Sequence, residues 1–133
     1  MFSVPARTQY AIRAMVHLAR LPDRSATAAE IAAAEGIPVK YLEGIMTRLK
    51  LCGLVESERG KNGGHSLRAD PAELSMLSIV EAMDGSVKPV SCVEGASVCA
   101  QGGGCLPRKF WLGLKDAIDL YLKDKTLRDV TEA

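Results

Sequence analysis

Between Thr8 and Leu21 apolar side chains return every three or four residues, at Ala11, Ala14, Met15 and Leu18, with Tyr10, Arg13, His17 and Arg20 between them. That period predicts a helix with one buried face, and Pro22, which has no amide to donate, ends it. Thr27 followed three residues later by Glu30 has the form of a capping box and opens a short second helix that Gly36 closes. Pro38 suits the start of a third helix, where an amide would have no intrahelical partner to lose. From Pro38 to Leu51 the period sends Tyr41, Leu42, Ile45, Met46 and Leu49 inward and leaves Lys40, Glu43, Gly44, Thr47, Arg48 and Lys50 outward. Two helices joined by the tight Gly36-Ile37-Pro38 turn, preceded by a packing helix, make a helix-turn-helix.

The period then shortens. Gly53 to Arg59 alternates apolar and polar residues, Gly60-Lys61-Asn62-Gly63-Gly64 supplies turn chemistry, and His65 to Arg68 returns, which predicts a hairpin wing. Asp70-Pro71 begins a connector, and Leu74 to Met83 reads as a fourth helix through Leu77, Ile79, Val80 and Met83, closed by Gly85. Pro107 opens a last long helix in which Phe110, Trp111, Leu114, Ala117, Ile118, Tyr121 and Leu122 form a stripe wider than so short a chain can cover, so a second copy is its natural partner. The tail from Thr126 to Glu132 adds a final turn with Leu127 and Val130 as contacts. The fold class expected is mainly α with a small β-hairpin, a winged helix-turn-helix plus a long C-terminal dimerisation helix. Residues 1–70 form the DNA-binding domain, and residues 71–133 carry a cysteine segment and the dimerisation helix as one compact unit with the first.

Composition narrows the function. A chain of 133 residues holds one modest core, and 17 basic against 16 acidic residues leave a net charge of +1, so any surface for a polyanion is local. Arg7, Arg13 and Arg20 interrupt the apolar N-terminal stretch, which leaves no membrane span or secretory leader and predicts a cytoplasmic protein. In that reducing setting the three thiols of Cys92, Cys99 and Cys105, separated by six and five residues, act as metal ligands or redox groups rather than disulfides. Thiolates suit zinc and iron-sulfur centres, both of which take about four ligands, and this segment offers three. Gly95, Gly102, Gly103 and Gly104 let the backbone wrap a bulky inorganic core and aim amides at its sulfides. Cys52, at the end of the third helix, is expected to be a small buried hydrophobe outside that site. An enzyme is not expected, because neither His17 nor His65 lies beside a cysteine and no carboxylate pair or phosphate-binding glycine loop is present.

The run Ala29-Glu30-Ile31-Ala32, Gly36 to Glu43, Leu49-Lys50, Gly53-Leu54-Val55, Arg59-Gly60 and Gly63-Gly64, followed by the three cysteines, resembles the IscR/NsrR-type winged-helix transcription regulators over Tyr10 to about Val130. The resemblance implies a homodimer on a double-stranded DNA operator, with recognition helices in successive major grooves and wings at the flanking minor grooves. Lys40, Arg48 and Lys50 then meet phosphates, Tyr41 donates to phosphate or packs, and Glu43 accepts from cytosine N4. Arg59 enters a narrow minor groove, and Val39 and Gly60 complete the surface. Phe110, Trp111, Leu114, Ile118, Tyr121 and Leu122 form the dimer seam.

By the same resemblance Cys92, Cys99 and Cys105 fall on the cluster-ligating cysteines, which implies an iron-sulfur cluster, 4Fe-4S in preference to 2Fe-2S, that reports on iron or cluster status, oxygen or nitric oxide. The fourth ligand departs from the pattern: Arg108 stands where IscR-like members have histidine, and Gln9 where NsrR-like members borrow a carboxylate. A guanidinium stays protonated and a neutral amide ligates iron poorly, which leaves water, a small thiol or an unidentified side chain, His17 and Glu94 being candidates. Two other readings stay open: a cluster-free thiol- or zinc-sensing winged-helix regulator, and an interaction module that docks on a metabolic enzyme through the Trp111 helix.

Overall fold

A computed structural model describes residues 3–58, 63–89 and 106–133. The chain begins with α1 (Ala6–Arg20), whose buried stripe of Thr8, Ala11, Ala14, Met15 and Leu18 lies at the centre of the molecule. After β1 (Ser25–Ala26), Thr27 caps α2 (Ala28–Glu35) by accepting the Glu30 amide at 3.1 Å. Gly36 ends that helix at φ 66°, where an L side chain is strained, and the Ile37 amide returns to the Ala32 carbonyl at 3.0 Å. The tight corner aims α3 (Val39–Leu51) across α2, with Leu42, Ile45, Met46 and Leu49 buried against α1. Gly53, at φ 78°, lets α3 finish with the Leu54 amide on the Leu49 carbonyl and its own amide on that of Lys50, both at 3.0 Å.

The wing strands β2 (Val55–Glu58) and β3 (Gly64–Leu67) pair antiparallel, Val55 opposite Leu67 and Glu58 opposite Gly64. Two features depart from the hairpin expected. The sheet has three strands in the order β1-β3-β2, because Ser25 and Ala26 pair with Ser66 and His65, and the Ser25 hydroxyl donates to Glu58 at 2.8 Å. Burial also fails to alternate: Val55 is buried and Glu56, Ser57 and Glu58 are all exposed, since the wing projects past the body and neither of its faces is covered there.

A 3-10 turn (Pro71–Glu73) leads to α4 (Met76–Asp84), which Ser75 caps on the Ser78 amide at 3.1 Å and which buries Met76, Ile79, Ala82 and Met83. The long α5 (Leu106–Asp124) packs on α4, and α6 (Leu127–Thr131) turns back onto α1 behind a capping box of Thr126 and Asp129. Two 2.8 Å bonds, Met76 amide to Lys125 carbonyl and Leu127 amide to Leu74 carbonyl, stitch this end to the start of α4. Leu127 is fully buried among the α1 residues, whereas Val130 is 40% exposed, so the tail packs through one residue rather than two.

Tyr41 and Cys52, both expected inside, are exposed. Tyr41 sits on the flank of α3, where a ring reaches past the core, and Cys52 is the cap residue beyond the last buried turn. His65 on β3 is half-buried, and its Nδ1 finds no hydrogen-bond partner among the described residues. Desolvation first, and the nearby Lys50 ammonium second, hold its imidazole below the ordinary 6.5.

Two measurements follow from this backbone and this histidine. Gly44 lies mid-helix with open space where a Cβ would stand, so Gly44→Ala raises stability by about 0.5–1 kcal/mol in urea unfolding, whereas Gly36→Ala, forced to keep a left-handed conformation, lowers it by about 1 kcal/mol. The folded chain resists protonating His65, so its contribution is full above the unfolded value of about 6.5 and is lost as pH falls through the lower folded pKa. Unfolding curves collected from about pH 7 to about pH 5 therefore show a steeper acid-side loss for the parent than for His65→Gln.

Candidate nucleic-acid interface

The face of α3 opposite its buried stripe carries Lys40, Glu43, Gly44 and Thr47, all exposed, at the spacing that puts residues on one side of a helix. Val39, which is 43% exposed, and Lys50 border this face on the wing side. Tyr41 and Arg48, seven residues apart, border it on the other. The helix therefore presents cations at both ends of an otherwise polar strip. Gly44 and Thr47 were not among the expected contacts, although their distance of four and seven residues from Lys40 is the signal that would have found them. The Thr47 hydroxyl is already bonded to the Glu43 carbonyl at 2.9 Å.

A cluster of side chains sets the angle of this helix. Tyr41 meets Tyr10 of α1 edge to face, with centroids 5.6 Å apart, and the Arg13 guanidinium lies 5.7 Å from the centre of the Tyr10 ring. Arg13 also donates to the Glu35 backbone carbonyl and faces the Glu35 carboxylate at 3.4 Å, while His17 Nδ1 stands 3.4 Å from the same carboxylate. A cation at the carbonyl end of α2 answers its unpaired acceptors and the negative end of its dipole. Thus α1 holds both sides of the turn between α2 and α3. His17 belongs to this cluster.

Arg48, expected to meet phosphate, is exposed at the border of the strip and is also tied to α4. Its Nε donates to the Ala82 carbonyl of α4 at 2.8 Å, because its flank of α3 faces α4. Lys50 lies near His65 of the wing, so the second half of α3 is attached to both neighbours. Arg59 and Gly60 lie outside the described residues, as do Cys92, Cys99, Cys105 and Glu94. Among the described residues no group of three or more His, Cys, Asp or Glu side chains is placed to hold a metal ion. Gln9 spends its amide nitrogen on the Val4 carbonyl at 2.8 Å.

The expected dimer stripe on α5 divides. Phe110 and Tyr121 are 67% and 65% exposed, and Trp111, Leu114, Ile118 and Leu122 are half-buried. Leu106 and Leu120, which the sequence reading left out, are 74% and 69% exposed. Phe110 and Trp111 meet edge to face at 5.0 Å. None of the 19 residues of α5 is fully buried in a single chain. No helix among the described residues is long and apolar enough to cross a membrane.

This architecture has close parallels. The structure of CymR, titled the global cysteine regulator of B. subtilis, superposes with a TM-score of 0.84 at 26% identity, covering 99% of this chain and 98% of that one. IscR of T. potens superposes at 0.79, also at 26% identity, over 98% of this chain and 87% of its own. In sequence, the HTH-type transcriptional regulator IscR of Vibrio atlanticus is 32% identical over 126 residues, which is 94% of this chain and 72% of that protein. IscR of Yersinia pestis is likewise 32% identical, over 76% of its length. The profile of the Rrf2 family, described as iron-dependent transcriptional regulators, matches residues 4–133, and the chain belongs to that family: it is a winged-helix transcriptional regulator and not an enzyme.

Proposed function

We propose that the chain works as a cytoplasmic homodimer that places α3 in the major groove of an operator and changes its grip according to an iron-sulfur cluster held by Cys92, Cys99 and Cys105. The observation that carries the DNA part is the exposed strip of α3, held by α1 on one flank and bordered by the wing on the other. In this arrangement Lys40 and Lys50 meet phosphates, Glu43 accepts from a cytosine edge, Val39 and Tyr41 border the groove, and Arg59 with Gly60 reaches the minor groove. Residues 1–70 are the reading unit and residues 71–133 carry the sensing segment and the seam.

Homodimerisation draws support from α5, where Leu106, Phe110, Leu120 and Tyr121 leave an apolar surface that one chain does not cover. Phe110→Glu combined with Tyr121→Glu yields a particle of half the parent mass by light scattering. Its operator affinity falls by at least about tenfold, because two linked reading heads lose their joint engagement. A parent that is already monomeric would remove the two-headed reading.

The donor set supplies three of the about four ligands such a cluster takes. Three thiolates suit a 4Fe-4S core better than a hard cation, and α4 and α5, which flank the segment that carries them, pack on each other. When bound, the cluster supplies iron that responds to oxygen, nitric oxide or iron supply. The chain's own part is to convert the order of that segment into the spacing of two α3 helices, and a hundredfold change in affinity needs only about 2.7 kcal/mol. Anaerobically purified protein is expected to be coloured, with iron and acid-labile sulfide, and each of Cys92→Ala, Cys99→Ala and Cys105→Ala to lose the chromophore. A colourless protein with stoichiometric zinc would move the function to the second reading, a cluster-free thiol- or zinc-sensing regulator. The likeness to CymR, a global cysteine regulator, is what supports keeping that second reading.

A further inference from the structure

The last turn of α4 carries an attachment that the core does not require. A helix cannot pair its final four carbonyls itself. In α4 one of these, at Ala82, receives a side chain of α3 and one of its cap residue: Arg48 Nε at 2.8 Å and Cys52 Sγ at 3.8 Å. The same turn is held from α1, where Asp84 accepts from Arg7 Nε at 2.9 Å and from the hydroxyl of Thr8, a fully buried residue. A guanidinium at the carbonyl end of a helix is favoured by the dipole as well as by the bond it makes. Arg48 is therefore a direct link between the helix proposed to read DNA and the turn from which the chain departs toward its cysteines, Cys92 following Asp84 by eight positions.

We propose that Arg48 is a positioning residue that couples α3 to the last turn of α4, so that operator occupancy and the arrangement of that turn bias each other. The coupling rests on the reading of α3 as the operator helix. Because linkage is reciprocal, whatever reorders the end of α4 changes operator affinity, and operator binding must in turn steady the end of α4. The second direction can be measured without knowing the signal.

Hydrogen exchange on the full-length protein, with and without operator DNA, tests it. In the parent, operator slows exchange at residues 81–85 by about fivefold or more. Arg48→Met, which keeps the stem and lacks the donor, loses that protection, and Arg48→Lys, which restores a donor, recovers most of it. Arg48→Ala repeats the test with a smaller side chain. The salt slope of operator binding stays at the parent value in Arg48→Met, whereas a phosphate contact would lower its magnitude by about one unit. Equal protection in parent and Arg48→Met, absence of protection in the parent, or that drop in slope overturns the coupling. Lys40→Ala measured alongside separates the two readings. Affinity indifferent to Lys40→Ala sinks the placement of α3 on DNA, and binding sensitive to Lys40 with protection indifferent to Arg48 sinks the coupling alone.

Discussion

The buried stripe of α1 is the constraint on which the other elements depend. Ala11 and Ala14 have no side chain beyond Cβ, so neighbouring helices approach the α1 backbone closely, and Met15 and Leu18 fill what space remains. Around this stripe α2, α3, α4 and α6 all find a surface, and β3 touches it as well. Each fully buried residue of the size of Leu42 or Leu49 contributes roughly 1.5–3 kcal/mol by leaving water, which is ample to choose one rotation of α3 over the others. The outward strip of Lys40, Glu43, Gly44 and Thr47 is the consequence of that choice. The surface proposed to meet DNA is here the reverse side of a packing decision.

Polar contacts then refine what packing sets. Arg13, His17 and Glu35 gather at the end of α2, Arg7 and Thr8 at the end of α4, and Arg48 at the same turn of α4. All three groupings place donors or cations where a helix runs out of amides to satisfy its own carbonyls. Such contacts, largely at the surface, add little to stability singly, but they fix angles between helices. In the proposed function, where one helix reads DNA and a segment attached to another senses, the angle is the quantity that matters.

The near-neutral balance of +1 also takes its meaning from this arrangement. On α3 the exposed lysines Lys40 and Lys50 stand at its two ends, while acids such as Glu35 and Asp84 are tied to cations of α1. Cations at the two ends of a polar strip, on a nearly uncharged chain, favour phosphate contact there without a general affinity for polyanions. The apolar residues of α5 have the opposite character: Leu106, Phe110, Leu120 and Tyr121 are all exposed, with no cover among the described residues.

Local order was legible in the residues themselves. Helix periods, the stop at Pro22, the cap at Thr27, and the corner at Gly36-Ile37-Pro38 all depend on neighbours within about four positions, so a linear reading recovers them. The family could be recognised for a related reason, since its motifs are strings of adjacent residues. Three outcomes needed the third dimension. The strand Ser25–Ala26 is too short to show any period and exists because β3 passes beside it. Tyr41 is a ring on the border between inside and outside, and only the position of Tyr10 and Arg13 on another helix decides which way it goes. Arg48 looked like its neighbours Lys40 and Lys50, but a carbonyl thirty-four residues later claims its Nε. Chain order dictates which residues share a helical face, because that depends on a period of 3.6; what the border of that face touches depends on distances between segments, and those are settled only when the core closes.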